Sequence, residues 1–534
     1  IAVLGGTIQT GSGTLELTYS NSSFTSTSAS KTLIAGTVKM TPNWGYFTFE
    51  VSDGPQDIDV EIAAKLTGTA SSAFFKDQSG TLLLTSSQSD FTANTIMVRR
   101  GRLMIGADAP KGAPGALGNN NASIQLGDSG TNTSRGVWTY GPVTVARDII
   151  VYSAPSYAAY IGGYTAHTSY FTGNITLGQN VELQAASGGT VYFTGQITES
   201  GGSFGLTKTG AGTVVLQNSA NNFTGPVTVS AGVLSVPSVS NSGVAGPVGA
   251  GKLITLGSVT LQYSGSTASS TNRTITLTGS PTIDVSNSAG QLTLSGILSG
   301  SGQTLTKTGA GTLEITGSAT LGTLRLMAGG AKFAGNASVT TSRLDNRGGG
   351  VVLSIVDNAV ITASSYIVFG DASGNTSITI NQSGGTVTNQ GTVNNPAGND
   401  ISNRWGHWPG GATTYNLSGG TLNLLGAPLY LSWDGSASLN ISGGTANIRG
   451  INMGYGGRNN PSTINLTGGR LNIGSEGIIT GGTSNKTINL GGGILGALAN
   501  WSSSLPMTLT GSGGNVTIDT ADPANPSVGY TITL

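Results

Sequence analysis

The chain has 534 residues, 86 of them glycine, no cysteine, and a formal net charge of zero with only 9% charged residues, where an average soluble domain carries ~25%. Neutrality and the lack of a dense basic patch argue against nucleic acid as a partner. The missing cysteines exclude disulfides and thiolate metal sites, and no run of ~18 apolar residues offers a transmembrane segment. Length alone suggests three or four globules. Val, Ile, Leu and Thr instead alternate with small polar residues throughout, which predicts a long, thin core. The sequence opens at Ile1 and not at Met, so it reads as a processed form or a fragment.

In chain order, residues 1–100 are the richest in charge and are expected to form a β-rich region, a cap or docking module merging into the remainder of the chain. Asp57, Asp59 and Glu61 alternate with Ile58, Val60 and Ile62, the pattern of a strand with one exposed acidic face, set against Arg99, Arg100 and Arg102. His167 stands among Tyr157, Tyr160, Tyr164 and Tyr170 without a second ligand nearby, so no metal is assigned to it. Leu-Thr-Lys-Thr-Gly-Ala-Gly-Thr then occurs twice, at 206–213 and 305–312. A worn copy lies earlier, with Gly80 and Thr81 following Lys76 at the offset by which Gly212 and Thr213 follow Lys208. Short β-rich runs separated by Gly-bearing turns are strand-turn-strand chemistry. Repetition at this range means one unit stacked many times.

The copy from Gly205 to Val236, with its Asn-Phe-Thr turn at Asn222–Thr224, resembles the autotransporter-associated β-strand repeat, also called the passenger-associated transport repeat. Gly302–Leu326 is similar over a shorter stretch. The resemblance implies a right-handed parallel β-helix exported across a Gram-negative envelope, a scaffold with no catalytic activity and no cofactor. Residues 101–340 are assigned to this solenoid. The translocating outer-membrane barrel that ends such proteins is not expected within this sequence.

Residues 341–534 carry a more regular repeat. Four units centred on Gly420, Gly444, Gly469 and Gly493 follow one another at intervals of 24, 25 and 24 residues. Apolar residues alternate on both sides of each glycine pair, so the pair is predicted to turn a corner between two short strands. Asn416, Asn440, Asn465 and Asn489 precede the corners, while Asn423, Asn447 and Asn472 follow them. Equal offsets in stacked coils predict amide ladders. The fold expected is therefore all-β, a right-handed parallel β-solenoid with about 24 residues per coil in this last third.

One interval breaks the rhythm. Gly385 precedes Gly420 by 35 residues, so an excursion of about 11 is expected to leave the coil within residues 390–413. Asp400, Arg404, Trp405, His407 and Trp408 lie there and form the predicted binding group, since loops on rigid scaffolds carry recognition and indole faces suit sugars. Asp519 and Asp522 are weak candidates for Ca²⁺ only, and no catalytic, cofactor or metal residue is assigned. Arg343, Asp345 and Arg347 are expected to make a surface salt bridge. The termini, through Ile1, Val3, Leu4 and Tyr530, Ile532, Leu534, present strand-like runs suited to strand addition between copies. These features predict a secreted, non-enzymatic structural protein, the building block of a bacterial cell-surface fibre, filament or layer, assembling head-to-tail. The alternative is an adhesin or autotransporter passenger binding glycan or a host surface through its projecting loops, and a polysaccharide-degrading β-helix enzyme ranks third.

Overall fold

The computed structural model describes residues 2–27, 29–128, 130–392, 403–455, 459–483 and 485–534. Of the predicted site residues, Ile1 and Asp400 lie outside this set. Contacts divide the chain into two compact units, Ile1–Gln262 and Tyr263–Leu534. Each is a parallel β-solenoid. Among the described residues there is no helix.

In the first unit, one ladder takes a single strand from each coil. It runs through Ala2–Leu4, Asn21–Thr25, Tyr46–Val51, Ala73–Asp77 and Ile96–Val98, and continues to Ile197–Glu199. The register pairs Phe74 with Ile96 and Ile96 with Ile124, so coils differ in length while their strands stay aligned. Surplus residues leave at the turns. Inward positions stack in register, as buried Phe171 does on Phe193 with centroids 5.2 Å apart, and the buried rings of Phe24, Phe49, Phe74 and Phe91 pack from coil to coil at 5.7, 5.3 and 5.2 Å. A second face stacks Thr81–Leu84 on Gly101–Ile105 and on Arg135–Thr139. The ladders thus cross residue 100 without interruption.

The acidic alternation at 57–61 does not form one exposed face. Asp59 is buried and accepts hydrogen bonds from Ser26 Oγ at 2.6 Å, Gly54 N at 2.7 Å and Thr81 N at 2.8 Å. It clamps a turn whose backbone donors would otherwise go unpaired. Arg99 and Arg100 pair with Asp128 and Asp77 instead of that segment.

The repeated Lys-Thr-Gly motif has a structural cause. Lys208 is buried, and its ammonium donates to the carbonyls of Thr209 (2.9 Å), Gly210 (2.7 Å) and, one coil on, Ala231 (2.9 Å). Lys307 repeats this with Thr308, Gly309 and Ala328 at 2.7, 2.9 and 3.1 Å. Three donors meet three carbonyls that a tight corner leaves without strand partners. The corner residue has positive φ in both, Gly210 at 74° and Gly309 at 76°. In the worn copy, Lys76 bonds the carbonyls of Gln78 and Arg100. Gln78 holds the same left-handed conformation at 65°, so the corner persists there without its glycine.

In the second unit the amide ladders form as the spacing predicts. Asn440, Asn465 and Asn489 each donate Nδ2 to Oδ1 of the asparagine one coil before, all at 2.8 Å. The column extends back to Asn381 through Asn416 at 2.9 Å. The second column links Asn423, Asn447 and Asn472 at 2.9 and 2.8 Å. Arg470 then donates to Asn472 Oδ1 at 2.7 Å and to Asp519 at 2.7 Å. Asp519 is therefore half of an ion pair, and among the described residues no group of acidic or histidine side chains is arranged to hold a metal. Gly444 has φ of 67°, and a Cβ there would meet the Gly420 carbonyl oxygen at 2.6 Å, which explains glycine at the corners.

The 35-residue step is also real, with Thr386 beside Thr421 and Asn389 beside Leu424. Its position differs from expectation. Asn403–Trp405 is already a coil strand, pairing with Ile367–Val368 and with Leu429–Leu431. Arg404 onward therefore belongs to the scaffold, and residues 393–402 of the predicted excursion lie outside the described residues.

Candidate binding face

Consecutive coils of the second unit stack the strands Ser338–Asn346, Val360–Val368, Asn403–Trp405, Leu429–Leu431 and Thr445–Met453 in parallel. Each is followed by a turn, and the turns bring together Arg347, Asp371, His407, Trp408, Trp433 and Tyr455. Positive-φ residues make these bends, including Gly370, Gly406 and Gly454, and also Ser432 at 66°.

A charged network sits under this face. Asp345 is fully buried and takes a bidentate pair of bonds from Arg325, Nε to Oδ1 and Nη2 to Oδ2, each at 3.0 Å. It also takes Arg343 Nε at 2.6 Å. The expected surface salt bridge is thus a buried anchor, where breaking one partner is far more damaging than at a surface. Arg343 also reaches Asp371, which in addition receives Arg347 Nη2 at 3.0 Å and His407 Nδ1 at 2.8 Å. Burial would raise the Asp371 carboxyl, but the His407 hydrogen bond and the two guanidinium groups outweigh it and hold it below the usual range. For Arg343, burial is likewise outweighed by the Asp345 and Asp371 carboxylates, which hold it above its ordinary value.

Arg404 Nη1 lies 3.0 Å from His407 Nε2. A guanidinium can only donate, so in this contact Nε2 accepts while Nδ1 faces Asp371. Three guanidinium groups, those of Arg325, Arg343 and Arg347, thus meet the two carboxylates of Asp345 and Asp371.

The aromatic rings stand on that base. Arg404 Cζ is 4.4 Å from the Trp433 ring centroid, a distance suited to cation–π attraction. Trp433 packs against Tyr455 at 4.0 Å and Tyr430 at 4.9 Å, while His407 touches both Trp433 and Trp408 edge-on. Trp408 is 45% exposed and Tyr455 is 40% exposed.

Of the predicted group, Arg404, His407 and Trp408 come together. Trp405 does not join them. It is fully buried and stacks on Tyr415 at 4.9 Å with planes 3° apart, because residue alternation along its strand turns it inward. It is a core residue, unreachable by a ligand. Tyr430, Trp433, Tyr455 and Asp371 complete the group without having been expected in it. The strand register pairs Arg404 with Tyr430 and Tyr430 with Asn452, intervals that depart from the 24-residue period, so spacing carried no signal for them.

At the termini, Val3 pairs with Phe24 and Leu4 with Thr25, and Leu4 is 74% exposed. Ile532 pairs with Trp501, Leu534 is 58% exposed, and Tyr530 donates its hydroxyl to Asp522 at 2.9 Å.

Stacked coils, buried corner lysines and amide ladders define a repeat scaffold of the β-solenoid class. The passenger-associated-transport-repeat model matches residues 206–236 and 305–340, the two segments that carry Lys208 and Lys307. Those two segments are similar to that repeat, within units that are parallel β-solenoids. It is 36% identical over 118 residues to the adhesin BmaC autotransporter of Brucella suis biovar 1 (strain 1330), a stretch covering 21% of this chain and 3% of that protein. This chain thus aligns with a small part of a much longer relative. No solved structure matches it.

Proposed function

We propose that the chain is the passenger region of a bacterial cell-surface adhesin, non-enzymatic, and that the Trp408–Trp433–Tyr455 face of its second unit binds surface glycan. This reading is preferred to that of a filament subunit. The observation that carries it is the aromatic cluster itself. A solenoid coil needs small polar residues on its outer turns, yet these rings are held at fixed angles by Arg404, His407 and Asp371. Rigid aromatic faces beside donors fixed by a second layer of hydrogen bonds are the arrangement that sugar recognition requires. The similarity to a protein named as an adhesin supports the same reading, as does the export role of the repeat family for a location at the cell surface.

Two single substitutions test it on a glycan array and in cell-adhesion assays. Trp433→Ala should abolish binding, or weaken it at least ~10-fold, in a protein that still folds, because a lost stacking face costs ~1.4 kcal/mol or more. Trp405→Ala should instead lower stability by ~3–5 kcal/mol. Wild-type adhesion retained by a folded Trp433→Ala protein would refute the assignment.

A further inference from the structure

On the second face of the first unit, side chains alternate in and out of the core. Leu103, Val137, Ile161 and Leu183 point inward and are buried. Their neighbours on the outer side should be polar, as Glu182 and Thr207 are. Met104 and Trp138 break that rule. Both stand on the outer side and are nonetheless buried, under Tyr140, Tyr160 and Tyr164.

Local sequence makes room for this. Gly136 faces Tyr160 in the register, and a Cβ on Gly136 would lie 2.8 Å from the tip of the Trp138 indole. The indole therefore lies back over a glycine and stacks on Tyr160, centroids 5.6 Å apart and planes 26° apart. Tyr140 and Tyr164 stack in the same manner at 6.2 Å. Trp138 Nε1 donates to Gln184 Oε1 at 2.8 Å, which leaves the Gln184 amide N–H groups as donors. Beside these rings is a cavity of about 540 Å³ lined by Ser79, Arg102, Thr133, Tyr160, Tyr164 and Gln184, within the ~300–1,000 Å³ of small-ligand sites.

Arg102 supplies the selective element. Arg99 and Arg100 are each paired with an aspartate. The exposed Arg102 guanidinium has no carboxylate partner among the described residues and sits 5.8 Å from the Trp138 ring centroid. The cavity also touches buried Arg135, whose donors go to the Tyr152 and Tyr157 carbonyls and to Gln179, so it adds positive charge without neutralisation. Glu182, one coil beyond Tyr160, is turned to Thr209.

We propose that this cavity is a second binding site, separate from the face in the other unit, for one residue of an acidic saccharide. The apolar side of the sugar ring stacks on Tyr160 and Tyr164, its carboxylate or sulfate pairs with Arg102, and its hydroxyls meet Ser79, Thr133 and Gln184. Calorimetric titration with trigalacturonate, a sulfated chondroitin disaccharide and neutral galactotriose tests this on the whole chain. At least one acidic probe should bind at least ~10-fold more tightly than galactotriose. Arg102→Ala should erase that preference and Tyr164→Ala should weaken all binding, while Trp433→Ala should leave the site untouched. The Arg102 side chain is exposed, so its removal leaves the fold intact, and circular dichroism checks this. The proposal is overturned if neither acidic probe binds at ~10 mM, if neither outcompetes the neutral sugar, or if a folded Arg102→Ala protein keeps the preference. Loss of acidic binding in Trp433→Ala alone would move the site to the other unit, and so also overturn it.

Discussion

At the scale of single residues, the repeat's lysine carries a cost and a benefit that separate by pH. Burial pushes the Lys208 and Lys307 ammonium groups down to about 8, with Asp284 opposing it slightly at Lys307, and pushes Lys76 down to about 7. The unfolded chain keeps the ordinary value of 10.5. Between about pH 8 and 10.5 the unfolded state therefore binds more protons, so stability rises with pH across that window. The charge-burial cost is fully present below it and gone above it. The benefit is the three carbonyls each lysine satisfies. Lys208→Met fills similar space but strands those acceptors, and should lower stability at pH 7 by ~2 kcal/mol or more. Urea melts from pH 7 to 10 read both effects: the wild-type midpoint should climb more steeply than that of a Lys208→Met/Lys307→Met protein. Parallel slopes would remove the lysines as the titrating groups.

At the scale of elements, a coil of this solenoid is held to its neighbours by backbone ladders and by one amide bond per asparagine column. The side-chain bond matters because it fixes register. A slip by one residue would turn every inward side chain outward, and the Asn columns penalise such a slip at each coil. Asn465 both donates to Asn440 and accepts from Asn489. Asn465→Ala therefore breaks two bonds in one step and leaves the Asn440 Oδ1 acceptor and the Asn489 Nδ2 donor, both half-buried, without those partners. The expected loss is ~1–2 kcal/mol, read from thermal or denaturant melts. Asn416→Ala also breaks two bonds, to Asn381 and from Asn440, and should cost about the same. A neutral result at both positions would show that the ladders accompany the register without securing it.

At the scale of the molecule, the parts legible in the sequence are those that repeat. Gly420, Gly444, Gly469 and Gly493 reveal the coil length, the Asn columns and the parallel class, because each rests on equal offsets. The binding face is half legible. The interval from Gly385 to Gly420 locates the surplus residues, but not where within the step they leave the coil, so Trp405 reads as projecting although strand pairing turns it into the core. Asp59 misleads for the same reason: alternation says which side a residue faces, not whether a turn folds over it. Trp433 and Tyr455 escape a reading by spacing because single aromatics in turns have no period. Stacked coils also predict how the protein opens. Each coil touches mainly its neighbours, so local stability should follow the bonds available coil by coil. Coils between Ala412 and Ala497 carry long strands and both amide columns, whereas residues 505–530 are mostly exposed, with the short strands Thr508–Leu509 and Val516–Asp519. Amide hydrogen exchange followed by mass spectrometry should find peptides spanning 436–473 protected at least ~100-fold longer than those spanning 505–530, as a gap of ~2.8 kcal/mol in opening free energy requires. Equal protection along both stretches would mean that the unit opens all at once, and that coil-by-coil bonding does not set its local stability.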